Sequence, residues 1–163
     1  MCVLLQRIFL SKFTVMLLLI DEFQLLQNNK ETSLFSMEWK SASSRLHYKN
    51  VARRFMTIAS YIDKYKPRFV FANFDQMVYK QLWGKESQFY WKIHSVMKNA
   101  GVQKFAYIKS KDKLTEVLFD QLLSNSELNK VEVKAFDTQE EAKAWLLSDY
   151  RIRELQNKFA ISA

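Results

Sequence analysis

The sequence predicts a single α/β domain built on a mixed sheet of about five strands with about four helices. Three observations carry this. The length, 163 residues, suits one domain at ~100–200 residues each. Hydrophobic residues make up 48% and aromatics 15%, enough to bury a core without metal or disulfide and too many for a disordered chain. Segments of two-residue period alternate with segments of helical period, which implies parallel strands joined by right-handed crossovers. With 2 Gly, 1 Pro and 1 Cys, a collagen, a flexible linker and a disulfide scaffold are excluded, and Cys2 reads as an inert residue near a chain end.

Residues 13–20 (FTVMLLLI) are an apolar run far short of the ~18–20 that span a bilayer. Arg7 and Lys12 break what precedes it, and Asp21, Glu22 and Phe23 follow where a signal peptide needs a small-residue cleavage site. The run reads as a buried strand or short helix within an N-terminal segment, 1–20, set before a domain over 21–148. Met16 is an alternative start, with 1–15 an extension.

Residues 22–28 and 32–39 read as an antiparallel hairpin joined at Asn29, Lys30 and Glu31, with Phe35, Met37 and Trp39 alternating onto one face. Ser41 to Ser44 offer N-cap hydroxyls. Val51, Phe55, Ile58 and Ile62 then recur at spacings of four, three and four, one stripe of a helix whose other face carries Lys49, Arg53, Ser60 and Lys64. Pro67 ends it, because a proline ring disfavours a helical residue ahead of it.

Residues 68–74 (RFVFANF) are apolar on both faces except at Asn73, as a central strand covered on two sides would be. From about Glu86 a second helix buries Phe89, Ile93, Val96 or Met97, and Ala100, with Gly101 as its left-handed cap. Residues 102–109 form a strand, and 114–123 a helix with Leu114, Val117, Leu118 and Leu122 inward. Residues 131–136 alternate and carry Glu132 and Lys134, as an edge strand would. Thr138 to Glu141 read as a capping box opening a last helix with Ala142, Trp145 and Leu146 inward. Residues 149–163 form a tail in which Ile152, Leu155 and Phe159 permit a further helix.

The net charge of +8 conceals a division. Residues 40–111 hold 15 basic against 3 acidic side chains, while 112–154 hold 6 against 10. A basic middle segment is either a solvated exterior or an anion-binding surface.

Taken in order, these segments resemble the STAS superfamily, in particular its SpoIIAA-like branch of small bacterial proteins related to anti-sigma-factor antagonists. The resemblance runs from Phe23 to Leu147. It rests on the hairpin ending in Trp39, the helix closing in Tyr65, Lys66 and Pro67, and the strand RFVFANFD at 68–75. It rests further on GVQKFA at 101–106 and on FDTQEEAKAWL at 136–146. It implies a regulatory module that docks another protein; the lack of a nucleophile–base pair, metal cluster or paired carboxylates at a catalytic spacing argues against an enzyme, and the failed cleavage pattern points to the cytoplasm. In that family a serine after the central strand is the phosphorylated switch. Here the stretch reads Asn73, Phe74, Asp75, Gln76 and Met77, with no Ser or Thr between Val70 and Glu86, so the switch is not carried over.

Asn73 and Asp75 straddle the end of the central strand, where open α/β sheets place ligands. Asn73 either points into a site or caps its own turn, and Asp75 is open to both uses. Gly84 and Gly101 are isolated, so no phosphate loop accompanies them. Residues 79–92 concentrate Tyr79, Trp83 and Trp91 among Lys80 and Lys85, a composition of interfaces and single-stranded nucleic-acid platforms. His47 and His94 lack obvious partners and read as partly covered structural residues, and with one Cys no zinc site or other cofactor is expected. The expected activity is protein docking through the loop and helix at 73–92. A small-ligand carrier is the alternative, and nucleic-acid binding by the basic middle the weaker one. The hairpin edge permits a homodimer.

Overall fold

The computed structural model describes residues 15–79, 87–123, 130–152 and 154, the side chains of 87–91 excepted. Strands β1 (Val15–Ile20), β2 (Gln24–Asn29) and β3 (Leu34–Trp39) pair with one another antiparallel in succession. Strands β4 (Phe69–Asn73), β5 (Lys104–Ile108) and β6 (Glu132–Phe136) then join in parallel, giving one mixed sheet in the order β1-β2-β3-β4-β5-β6. The expected hairpin is β2–β3, and the sheet has one strand more than expected. The extra strand is the apolar run: it is β1, and it lies at the edge, with Val15, Leu17 and Ile20 exposed rather than buried.

Helices α1 (Tyr48–Tyr65), α2 (Ser87–Ala100) and α3 (Lys113–Leu123) are the three crossovers, and α4 (Gln139–Leu146) follows β6. Crossovers of one hand that step across a sheet in one direction must put their helices on one face. Accordingly Phe55, Ile58 and Ile62 of α1, Ile93 and Met97 of α2, and Leu118 and Phe119 of α3 share one core with Phe35, Trp39, Val70 and Phe105. The opposite face carries a smaller cluster in which Ala142 and Leu146 of α4 pack on Phe69, Phe71, Ala106 and Ile108. That arrangement covers β4 on both sides. Because α4 lies over β4, β5 and β6, the same face of β1 to β3 has no helix over it among the described residues.

Local chemistry explains most boundaries. Helix α1 ends at Tyr65, with Lys66 in the left-handed region (φ 46°) ahead of Pro67. Gly101 (φ 82°) follows α2 as a left-handed cap that glycine adopts without strain. The serines expected to cap α1 do not do so. They form a 3-10 helix, Ser41–Arg45, in which tight i+3 bonds occupy their backbone, and His47 is the N-cap without a side-chain bond. Thr138 does cap α4, its hydroxyl oxygen accepting from the Glu141 N–H at 3.3 Å. The Glu141 carboxylate, however, accepts from that hydroxyl at 3.1 Å rather than from a backbone N–H, so only half of the reciprocal box forms.

The inward stripe of α3 also differs from expectation. Leu114 and Val117 are 52% and 48% exposed, whereas Thr115, Leu118, Phe119 and Leu123 are buried, with Leu122 partly so. The helix is turned by Thr115, whose hydroxyl has two partners below it, and by Phe119, whose ring stands 4.4 Å from that of Phe74. Among the described residues no helix is long and apolar enough to cross a membrane.

Candidate functional site

The carboxyl ends of β4 and β5 bring Asn73, Asp75 and Tyr79 together, but mainly to build the loop. Asn73 Oδ1 accepts from the Asp75 N–H at 3.0 Å, the turn-capping use of that side chain. Asp75 Oδ2 accepts from Lys111 Nζ at 3.0 Å, and the Lys111 N–H donates to the Asp75 carbonyl. Tyr79 is buried, and its N–H donates to Thr115 Oγ1 at 2.8 Å. The Thr115 hydroxyl in turn donates to Asp112 Oδ2 at 2.6 Å, and the Ser110 hydroxyl donates to the Met77 carbonyl at 2.6 Å. Lys80, Trp83 and Lys85 lie outside the described residues, as does the side chain of Trp91.

Beside this end of the sheet, Lys109 Nζ donates to Asp120 Oδ2 at 2.6 Å with Glu116 3.7 Å away. The bond to Asp120 leads in raising the lysine's pKa above its ordinary value, against an opposing effect of burial. Burial, followed by a hydrogen bond to the same Asp120, raises Tyr107 as well. An ammonium held charged by two carboxylates is a poor general base.

A concavity of about 360 Å³ lies between the β1–β2 connection and α1, lined by Leu19, Phe23, Leu46, Asn50, Arg53 and Arg54. The Arg54 guanidinium is fixed here from three sides. It donates to Asp21 Oδ2 at 2.8 Å and to Gln24 Oε1 at 3.1 Å, and stands 4.6 Å from the centroid of the Phe23 ring. Burial would raise the Asp21 carboxyl, but the Arg54 bond and the N–H groups of Phe23 and Gln24 outweigh it and hold the pKa below the usual value. A carboxyl so depressed stabilises the fold above its unfolded pKa of about 3.9, and the contribution disappears as pH falls through the lower folded value. Asp21→Asn is therefore expected to lower stability at neutral pH, and the gap to wild type should close on acidification. A gap of constant size from about pH 5 to 2 in urea titrations would contradict the assignment.

The third feature is the outer surface of α1 and α2, which pack side by side. Together they hold Lys49, Arg53, Arg54, Lys64, Lys92 and Lys98, with Asp63 the one acidic residue in either helix. Lys49, Arg53, Lys64, Lys92 and Lys98 are exposed, and none forms an ion pair among the described residues. The charges at 49, 53 and 64 were legible as one helical stripe. Their union with Lys98 was not, because it depends on how two helices pack.

His94 is buried within α2, whereas His47 is exposed, its ring 4.6 Å from that of Tyr48, and so is not the partly covered residue expected. Among the described residues no group of three His, Cys, Asp or Glu side chains is placed to hold a metal ion. No protein-family model, curated protein or solved structure matches the chain.

Proposed function

We propose that this chain is a non-enzymatic, cytoplasmic regulatory module of the SpoIIAA-like kind that docks an acidic protein partner on the outer face of α1 and α2. The observation that carries the reading is the set of five exposed cations on two adjacent helices that have no ion pair among the described residues. Several cations elsewhere are engaged by carboxylates: Arg45 with Glu22, Lys104 with Asp149, Lys109 with Asp120, Lys111 with Asp75 and Lys113 with Glu116. A carboxylate-rich surface would meet this face without displacing an internal partner, and the field would speed its encounter. The polar groups at the strand ends satisfy one another, which supports docking over chemistry there. With no Ser or Thr between Val70 and Glu86, the family's serine switch is not part of this reading.

The test is affinity capture from nuclease-treated native lysate, comparing wild type with Arg53→Glu/Lys64→Glu/Lys98→Glu. All three sites are exposed, so the thermal midpoint should hold. The expected result is a discrete acidic protein whose recovery falls about tenfold or more in the variant and declines with salt. Equal recovery by the two proteins would reject the docking face. Recovery abolished by nuclease alone would favour nucleic acid, whose affinity also falls steeply with salt.

A small-ligand carrier is the second reading, favoured by the cleft of about 360 Å³ beside Phe23 and Arg54. Ligand released on denaturing the purified protein would support it.

A further inference from the structure

The two edges of the sheet are built differently. The β6 edge is protected in the usual way, with exposed charges at Glu132 and Lys134. The β1 edge carries no charge at any of its six positions, and its outer backbone groups have no strand beside them among the described residues. Of the devices that keep an edge from pairing, the described residues show one, a bulge between Leu17 and Leu19. Its apolar side chains are 36% to 62% exposed at Val15, Met16, Leu17 and Ile20. Register places three of these on the uncovered face: Val15 lies in one row with Asn29, Leu34 and Phe69, Leu17 with Gln27, Ser36 and Phe71, and Ile20 with Leu25 and Glu38.

We infer that β1 is a self-association edge, pairing antiparallel with β1 of a second copy across a two-fold axis to make one continuous sheet. The chemistry of the edge selects this occupant. In a two-fold pair each residue meets the same strand, so a charged strand opposes like charges, as β6 would on bringing Lys134 against Lys134. An uncharged strand meets no such penalty, and its match is an extended, uncharged, β-branched and leucine-rich segment, which is what β1 itself supplies. The axis stands perpendicular to the sheet, so equivalent faces lie on one side. The exposed rows of Val15, Leu17 and Ile20 from the two copies then adjoin, and their contact removes apolar surface from water. Both α1–α2 faces also point the same way, which would make the dimer bivalent toward a partner carrying repeated sites. The inference stands on the edge alone and does not depend on the docking proposal.

Sedimentation equilibrium of the full chain over a range of concentrations tests it, with amide hydrogen exchange under the same conditions. Wild type is expected to reach twice the chain mass, with the amides of residues 15–20 exchanging at least about tenfold more slowly as the dimer fills. Leu17→Lys places like charges in the paired strand and is expected to be monomeric. Ile152→Lys alters an exposed apolar residue off the sheet and should stay dimeric. A monomer at every concentration would overturn the inference, including one whose β1 amides are protected within the single chain. So would a dimer unaffected by Leu17→Lys or one whose protection falls on another segment. Should Leu17→Lys fail to fold, Ile20→Lys and the wild-type exchange pattern decide.

Discussion

Phe55→Ala is expected to cost about 3–5 kcal/mol and to lower the thermal midpoint by roughly 10 °C. Phe55 is 3% exposed and sits where the principal core is knitted from three elements. Its ring stands 5.0 Å from Trp39 on β3 and 6.2 Å from Phe119 on α3, and it shares the stripe of α1 with Val51, Ile58 and Ile62. Truncation removes ring contacts with both neighbours, and rigid strand and helix backbones cannot close the gap. The loss is a large part of the 5–15 kcal/mol that holds a domain folded. Urea titration measures it. A change below about 1 kcal/mol would mean that α1 is not anchored through this ring.

Thr115→Val is expected to cost about 1–3 kcal/mol despite nearly equal volume, because it leaves a buried donor without its acceptor. Thr115 is fully buried, and its hydroxyl is both acceptor for the Tyr79 N–H at 2.8 Å and donor to Asp112 Oδ2 at 2.6 Å. Valine keeps the methyl shape and abolishes both bonds. Thr115→Ser keeps the hydroxyl and should recover most of the loss in the same titration, which separates hydrogen bonding from packing. If valine matched wild type within about 0.5 kcal/mol, the connection after β4 would be held by other contacts.

The same residue shows where sequence reasoning stops. Along α1 the apolar residues at 51, 55, 58 and 62 permit one orientation, so the buried stripe was legible from spacing. Along α3, Leu114 and Val117 are as apolar as the residues that replace them inside, and hydropathy chose them. The true orientation is fixed by Thr115, whose partners at Tyr79 and Asp112 are identified only once β4 and α3 have packed. The apolar run before Asp21 was legible as a structured segment. Its exposure was not, because burial of an edge strand depends on which face a distant helix, α4, comes to cover. Asn73 left two uses open from sequence, and its bond to the Asp75 N–H is the turn-capping one. The aromatic and lysine positions Lys80, Trp83, Lys85 and Trp91 bear on the docking surface through composition alone, since they lie outside the described residues.

Charge was legible as a division of the chain but not as a surface. A basic middle segment becomes a face only when its cations are sorted into those with internal carboxylates and those without. The pairs at Arg54 and Lys111 join residues 33 and 36 positions apart. On α1 and α2 the cations that survive the sorting, with no ion pair among the described residues, are Lys49, Arg53, Lys64, Lys92 and Lys98.

Zero-length carbodiimide cross-linking of the captured complex, with peptide mapping, tests that surface most directly, because it joins a partner's carboxylates to the lysines they touch. The account predicts cross-links concentrated on Lys49, Lys64, Lys92 and Lys98 and lost when the partner is withheld. Cross-links centred on Lys30, Lys130 or Lys134 would contradict it.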